Sequence, residues 1–214
     1  MSKTAIGGKA EGLIRLQELE LPVPPFVAVP VGEEVDEAAV AALGEPLAVR
    51  SSAVGEDAAD RSAAGQYETV LGVTRASLSD AVAHVRSSTQ RAQAYGAGGG
   101  VAVVVQRQVP ATRAGVAFSR DPVSGDDSVL IECALGGGEA VVSGEVTPDR
   151  YRVDGERVHA RAAEAIRTLR DDEAREVAEL VRRAETGFGR PVDIEFCFEG
   201  RMLWLVQCRP ITTV

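Results

Sequence analysis

The sequence predicts an α+β fold. Three observations carry that expectation: helical and strand-like stretches are mixed along the chain, many strands are joined by hairpin-like links, and no regular strand–helix–strand repeat appears. A doubly wound parallel sheet is therefore not expected. With 214 residues, of which 45% are hydrophobic, there is material for one sizeable core or for two small lobes sharing a cleft.

The elements follow in order. Gly7-Gly8 opens a segment with Ala10, Leu13, Ile14, Leu16 and Leu19 at helical spacing, ended by Pro22, Pro24 and Pro25. Phe26 to Val29 reads as a short strand, followed by an acidic, Ala-rich helix up to Gly44. Leu47 to Arg50 is a strand that runs into a polar loop, Ser51 to Gly65, and Tyr67 to Val73 is strand-like again. Ser77 or Ser79 caps a helix whose apolar face is Leu78, Ala81, Val82, Val85 and Ala92. Gly96 to Gly100 breaks it and divides the chain into expected lobes 1–95 and 96–214. Strands dominate from there: Val101 to Arg107, Gly115 to Ser119, Ser128 to Cys133 and Arg150 to Val153. A helix over Asp171 to Thr186 aligns Ala174, Val177, Ala178, Val181 and Ala184 on one face, and a hairpin, Val192 to Phe198 with Leu203 to Cys208, closes the chain.

Charge and cysteine usage exclude several function classes. A net charge of −9 opposes nonspecific binding to nucleic acid or to an anionic membrane, since both need a positive field. Cys133, Cys197 and Cys208 form no paired motif and read as strand residues in a reducing compartment. No apolar signal core or membrane-length run appears, so a cytoplasmic protein is expected.

Three segments carry chemistry. Gly7-Gly8-Lys9-Ala10 at a helix start offers backbone N–H groups, the positive end of the helix dipole and a mobile ammonium to a phosphate. The same four residues also suit a surface turn. Val49-Arg50-Ser51-Ser52 puts a guanidinium at a strand end beside two hydroxyls and a glycine loop, which suits an anion or a salt-bridged, solvated loop equally. In the closing hairpin, Glu195 and Gln207 are hard oxygen donors suited to Mg²⁺, which takes few protein ligands and fills its octahedron with water and phosphate. Arg209 lies two residues beyond Gln207 and points the same way on an extended strand; an exposed, merely solvated hairpin face is the alternative.

Taken together, the blocks resemble a known family. GGKAEGLIRLQELELPVPPFVAVP, AVRSSAVGED with AGQYETVLGV, VAVVVQRQVPATRAGVAFSRDPVSG, IECALGGGEAVVSGEVTPDRYRV and GRPVDIEFCFEGRMLWLVQCRPIT follow one another as in the nucleotide-binding domain of the phosphoenolpyruvate synthase, pyruvate phosphate dikinase and rifampin phosphotransferase group. That resemblance implies an ATP-grasp-like fold, in which two α+β lobes clamp ATP between mixed or antiparallel sheets. It implies that Lys9 and Arg50 bind phosphate, with Gly65 and Thr69 lining the loop over it. Gln106 would sit beside adenine with the Gln108-Val109 backbone alongside. Glu195 and Gln207 would hold Mg²⁺, and Arg209 would reach the phosphates. Lys9, Arg50 and Arg209 are the expected catalytic cations.

The stretches 31–46, 74–100 and 154–170 are shorter than in the family, so a shortened, stand-alone form is expected. Family members continue into a swivelling domain whose histidine takes phosphate from ATP. His84 and His159 lack the glycine-rich context of that carrier. The resemblance thus implies an ATP-dependent phosphotransferase component that works with a separate phosphohistidine-domain protein or a small-molecule acceptor. A nucleotide-binding regulatory module without turnover, or an ATP-grasp ligase, are the alternatives. One geometric requirement follows from the metal assignment. Glu195 and Gln207 share a face if a three-residue loop, Gly200 to Met202, joins the strands; a two-residue loop would oppose Glu195 to Val206 unless a bulge intervened.

Overall fold

Apolar stripes at helical spacing and alternating strands build two compact units, in agreement with the α+β expectation. The computed structural model describes residues 5–53, 68–93, 101–122, 124–137, 146–163 and 166–211. One unit comprises residues 1–12 and 24–108, the other 13–23 and 109–214. The division thus falls after Gln108, and the segment Leu13–Val23 belongs with the later residues. Gly96 to Gly100, where the sequence reading divides the chain, lies outside the described residues.

The first unit is a four-stranded antiparallel sheet ordered β1-β4-β2-β3, formed by β1 (Phe26–Val29), β2 (Leu47–Ala53), β3 (Thr69–Val73) and β4 (Val101–Arg107). Helix α1 (Gly7–Glu18) begins in this unit, and the short α2 (Glu37–Ala41) follows β1. Asp36 starts α2, its carboxylate accepting from Ala38 and Ala39 N–H. Helix α3 (Leu78–Gln93) packs on one face of the sheet. Its Leu78, Ala81, Val82 and Val85 meet Leu47, Val49, Val103 and Val105 in a buried aliphatic core. Strand alternation therefore sends Ala48, Arg50 and Ser52 to the opposite face.

The second unit is a six-stranded antiparallel sheet, order β10-β9-β5-β6-β7-β8. Its strands are β5 (Arg113–Phe118), β6 (Val129–Leu135), β7 (Asp149–Asp154), β8 (Arg157–Arg161), β9 (Val192–Glu199) and β10 (Met202–Pro210). Helix α4 (Asp171–Phe188) covers one face, burying the five residues expected of it, Ala174, Val177, Ala178, Val181 and Ala184. They pack with Ile131, Tyr151, Ile194, Phe196 and Leu205, and Leu16 and Leu21 join the same core. Gly189 ends α4 at φ 69°, a left-handed C-cap. Arg113 clamps this unit: its guanidinium reaches both oxygens of buried Glu173 at 2.9 and 3.0 Å and lies 4.3 Å from the centre of the Phe198 ring.

Several expected boundaries move, and β8 is a strand that the sequence reading does not name. The loop expected from Ser51 starts later, because β2 continues through Ser52 and Ala53 in register with Ala102 and Val101. The helix before Gly44 is only five residues long, and α4 runs two residues past Thr186. The three cysteines are free and buried, and burial pushes the Cys133 thiol up to about 12. Among the described residues, no helix is long and apolar enough to cross a membrane.

Candidate functional site

In the first unit, two of the sequence motifs come together through one hydroxyl. Ser52 on β2 accepts a hydrogen bond from Ala10 N–H at 3.1 Å and donates to the Ile6 carbonyl at 2.7 Å. It thereby serves as a remote cap for the first turn of α1, a turn that leaves backbone donors otherwise without an intrahelical partner. Gly7 makes this approach possible. It adopts φ 75°, and a Cβ there would lie 2.6 Å from Ser52 Oγ and closer still to the Ser52 carbonyl. The start of the Gly7-Gly8-Lys9-Ala10 helix therefore rests on the β2 face that carries Arg50, two residues before Ser52.

That face holds three of the expected site residues. Arg50 lies opposite Thr69 on β3 and Val104 on β4, and Gln106 lies opposite Ala48 on the same face. Arg50 is half-buried, as are Lys9 and Thr69. Gln106 is only 2% exposed, and its amide reaches the Pro24 carbonyl at 3.4 Å. Gln108 anchors the end of β4: its side-chain oxygen accepts from Gly72 N–H at 2.6 Å, and its own N–H donates to Pro46 at 3.0 Å. Gly65 lies outside the described residues.

The other expected residues belong to the second unit. Val109 opens it, its carbonyl accepting from Ala111 N–H at 2.8 Å. In the closing hairpin, Glu199 pairs with Met202, so the loop is the two-residue Gly200-Arg201 and not the three-residue one. A bulge at Val206 restores the facing: Leu205 opposes Phe196 and Gln207 opposes Glu195. Glu195 and Gln207 thus share the face opposite α4, together with Asp193 and Arg209, which oppose each other one step along.

Asp193 is the residue that the sequence reading leaves without a role. Arg209 Nε donates to its Oδ2 at 2.7 Å, which fixes the guanidinium from behind. Asp193 is 7% exposed and its Oδ1 is buried with no hydrogen-bond partner. Burial pushes its carboxyl above the ordinary range, Arg209 pulls it down, and Glu195 adds to the rise. The signal was in the sequence: Asp193 and Glu195 are two apart on a strand, hence on one face. Ser52 stands in the same relation to Arg50. Two oxygen donors in register, beside a carboxylate with an unused oxygen and a held guanidinium, suit a hydrated divalent cation carrying phosphate.

Known proteins share the sequence pattern and the fold of this chain. The model of the "Pyruvate phosphate dikinase, AMP/ATP-binding domain" family matches residues 30–167 and 154–214. The Archaeoglobus fulgidus protein named "Probable phosphoenolpyruvate synthase" is 37% identical over 78% of this chain and 27% of its own length. A Streptomyces rifampicin phosphotransferase is 37% identical over 87% of this chain and 26% of its own. The chain therefore spans about a quarter of these relatives. Among solved structures, the ADP complex of N5-carboxyaminoimidazole ribonucleotide synthetase is similar at a TM-score of 0.58 and 11% identity, covering 96% of this chain and 45% of that one. Such structures are ATP-grasp enzymes, and the fold of this chain is of that kind.

Proposed function

We propose, for a chain that belongs to the pyruvate phosphate dikinase AMP/ATP-binding domain family, that it binds Mg-ATP and acts in phosphoryl transfer from it. The observation that carries this reading is the register of the closing hairpin, which opposes Glu195 to Gln207 with the Asp193–Arg209 pair beside them. A module that only senses nucleotide has no need of such a pair. No group of three or more His, Cys, Asp or Glu side chains stands ready for a metal among the described residues. Glu195 and Gln207 would instead hold Mg²⁺ with phosphate and water completing its shell, and the ion would neutralise phosphate charge.

The remaining roles fall to the chain's own cations. Lys9, at the helix start held by Ser52, and Arg50, on the face beneath, bind phosphate oxygens. Arg209, anchored through Nε to Asp193, presents its guanidinium to the phosphates. Phosphoryl transfer needs charge neutralisation and alignment more than covalent help, and these residues supply both. Thr69, across from Arg50, and Gly65 line the phosphate loop, while Gln106 and the Gln108-Val109 backbone flank adenine. The acceptor is a histidine on a partner protein or a small molecule.

The test combines nucleotide binding with product analysis. Wild-type protein binds ATP in a Mg²⁺-dependent manner, hydrolyses it slowly alone, and is stimulated by an acceptor. AMP plus phosphate among the products indicates transfer to a carrier histidine, and ADP indicates direct γ-transfer. Glu195→Ala with Gln207→Ala removes the Mg²⁺ dependence of ATP binding. Persistence of that dependence would refute the metal assignment, and acid-labile phosphate on His84 or His159 would refute the separate acceptor.

A further inference from the structure

The face of the second sheet opposite α4 continues well beyond the metal pair. Because β9, β5, β6, β7 and β8 pair without a register shift, one row runs Glu195, Val116, Glu132, Arg150, Arg161. The next row runs Asp193, Phe118, Leu130, Arg152, His159. The rows carry carboxylates at β9 and half-buried apolar side chains at β5; β6 adds Glu132 and Leu130, β7 carries Arg150 and Arg152, and β8 carries Arg161 and His159. At that cationic end lies an open depression of about 220 Å³, lined by Leu130, Arg150, Arg152, His159, Ala160 and Arg161. No carboxylate is among the described residues that line it.

We propose that this depression binds a small organic anion, an apolar body ending in a carboxylate or a phosphate. The lining is what that class requires. Leu130 and the aliphatic stems of the arginines make the wall almost wholly apolar, and the same lining residues carry three guanidinium groups and an imidazole that can meet an anionic end. Guanidinium forks match carboxylate and phosphate oxygens in pairs, which a mobile ammonium does not. Within a chain of net charge −9, three arginines and a histidine line this one depression.

The neighbouring acids leave the arginines available. Arg150 meets Glu132 at 2.9 Å, and Arg152 meets Asp154 at 3.2 Å and Asp126 at 3.5 Å, but all of these side chains are about a third exposed or more. Ion pairs of that kind are worth little and exchange readily for a better anion. Arg161 has no ion pair with any described residue, and it occupies the edge strand beside Arg150. The site is separate from the metal pair: β7 stands three strands from β9, on the order of 14 Å at the usual strand spacing. It uses none of the residues assigned to ATP.

The experiment is a titration of the full chain with phenyl phosphate, benzoate and inorganic phosphate, followed by calorimetry and by NMR of the arginine side chains. Saturable binding in the millimolar range or tighter is expected for phenyl phosphate or benzoate, with shifts confined to residues 150–161. The tighter of the two names the anionic group, and either supports the site. Arg152→Ala with Arg161→Ala should weaken it about tenfold or more, and Arg161→Glu should weaken it further. Both variants should keep the wild-type melting temperature and ATP affinity. No saturable binding, an affinity unchanged in the double variant, or inorganic phosphate binding as tightly as phenyl phosphate would overturn the proposal. ATP affinity measured on the same samples reports separately on the phosphotransfer reading.

Discussion

Replacing Gly7 with Ala strikes the point where the helix start is fixed to β2. Two costs can be worked from the structure. Gly7 sits at φ 75°, where an L side chain is strained by about 1–2 kcal/mol. The new Cβ would also enter the space of the Ser52 carbonyl and lie 2.6 Å from its hydroxyl, so the helix start must withdraw. Withdrawal breaks the Ser52 bonds to Ala10 N–H and the Ile6 carbonyl, each worth about 1 kcal/mol. The expected loss is roughly 3–4 kcal/mol in the first unit, by urea denaturation followed by circular dichroism. Because Lys9 moves with the helix, ATP affinity should fall by about one to two decades, the worth of a charge-assisted phosphate contact. Ser52→Ala separates the two costs: it forfeits only the hydrogen bonds, about 2 kcal/mol. Lys9→Ala should lower ATP affinity with the ligand-free stability unchanged. A Gly7→Ala protein with the wild-type midpoint and the wild-type ATP affinity would refute this account.

Four further outcomes are expected. Glu173→Gln leaves the half-buried Arg113 guanidinium without its buried carboxylate and should cost about 3 kcal/mol by chemical denaturation, without changing ATP affinity. Asp193→Asn removes a buried charge whose pKa is raised, so stability at neutral pH should be unchanged or higher by about 1 kcal/mol, while Arg209 loses its anchor and ATP affinity drops roughly three- to tenfold. Asp149 titrates below the ordinary range; burial opposes this, but hydrogen bonds from Ala163, Thr168 and Tyr151 outweigh it, and Glu173 is lowered in the same sense by Arg113 and Arg170 against its own burial. Such groups stabilise above the unfolded-state pKa of about 4, and that stability is lost as pH falls from about 5 through the folded pKa, a dependence that Asp149→Asn should flatten in denaturation midpoints. Deleting Val206 removes the bulge but leaves Gln207 opposite Glu195, so Mg²⁺-dependent ATP binding should persist; its loss in a folded variant would show that the bulge does more than set the facing.

The elements that the sequence displays most fully are those whose pattern is local. Helix α4 buries the five residues that its spacing marks, because one face of a helix reads directly from the period of its apolar positions. The end of β2 is different. Ser51-Ser52-Ala53 looks like the start of a loop, since hydroxyl residues favour turns; here the ladder to β4 and the two hydrogen bonds of Ser52 hold it extended. Sheet order is the least legible property. β9 lies beside β5, with Gly115 opposite Phe196, and no local pattern announces a pairing between residues so far apart in the chain. Depressions lined by several strands, such as the one over β7 and β8, inherit the same opacity.

The closing hairpin shows how the core decides where the residues proposed as metal ligands point. Leu203, Leu205 and Cys208 all belong to the core beneath α4. On a regular strand Leu203 and Leu205 share a face but Cys208 does not, because its separation from Leu205 is odd. All three can be buried only if one residue between Leu205 and Cys208 is skipped, and Val206 is the one that bulges. Once it does, Gln207 and Arg209 have no choice of face. They are sent away from the core, opposite Glu195 and Asp193, by the apolar residues that alternate with them. The break in alternation between Leu205 and Cys208 was therefore the sequence's own sign of the bulge. In the first unit the aliphatic face of β2 does the same for Arg50 and Ser52: Leu47 and Val49 bury against α3, and the residues between and after them face the other way. The residues proposed as metal and phosphate ligands are placed in both sheets by the parity that burial imposes on their neighbours.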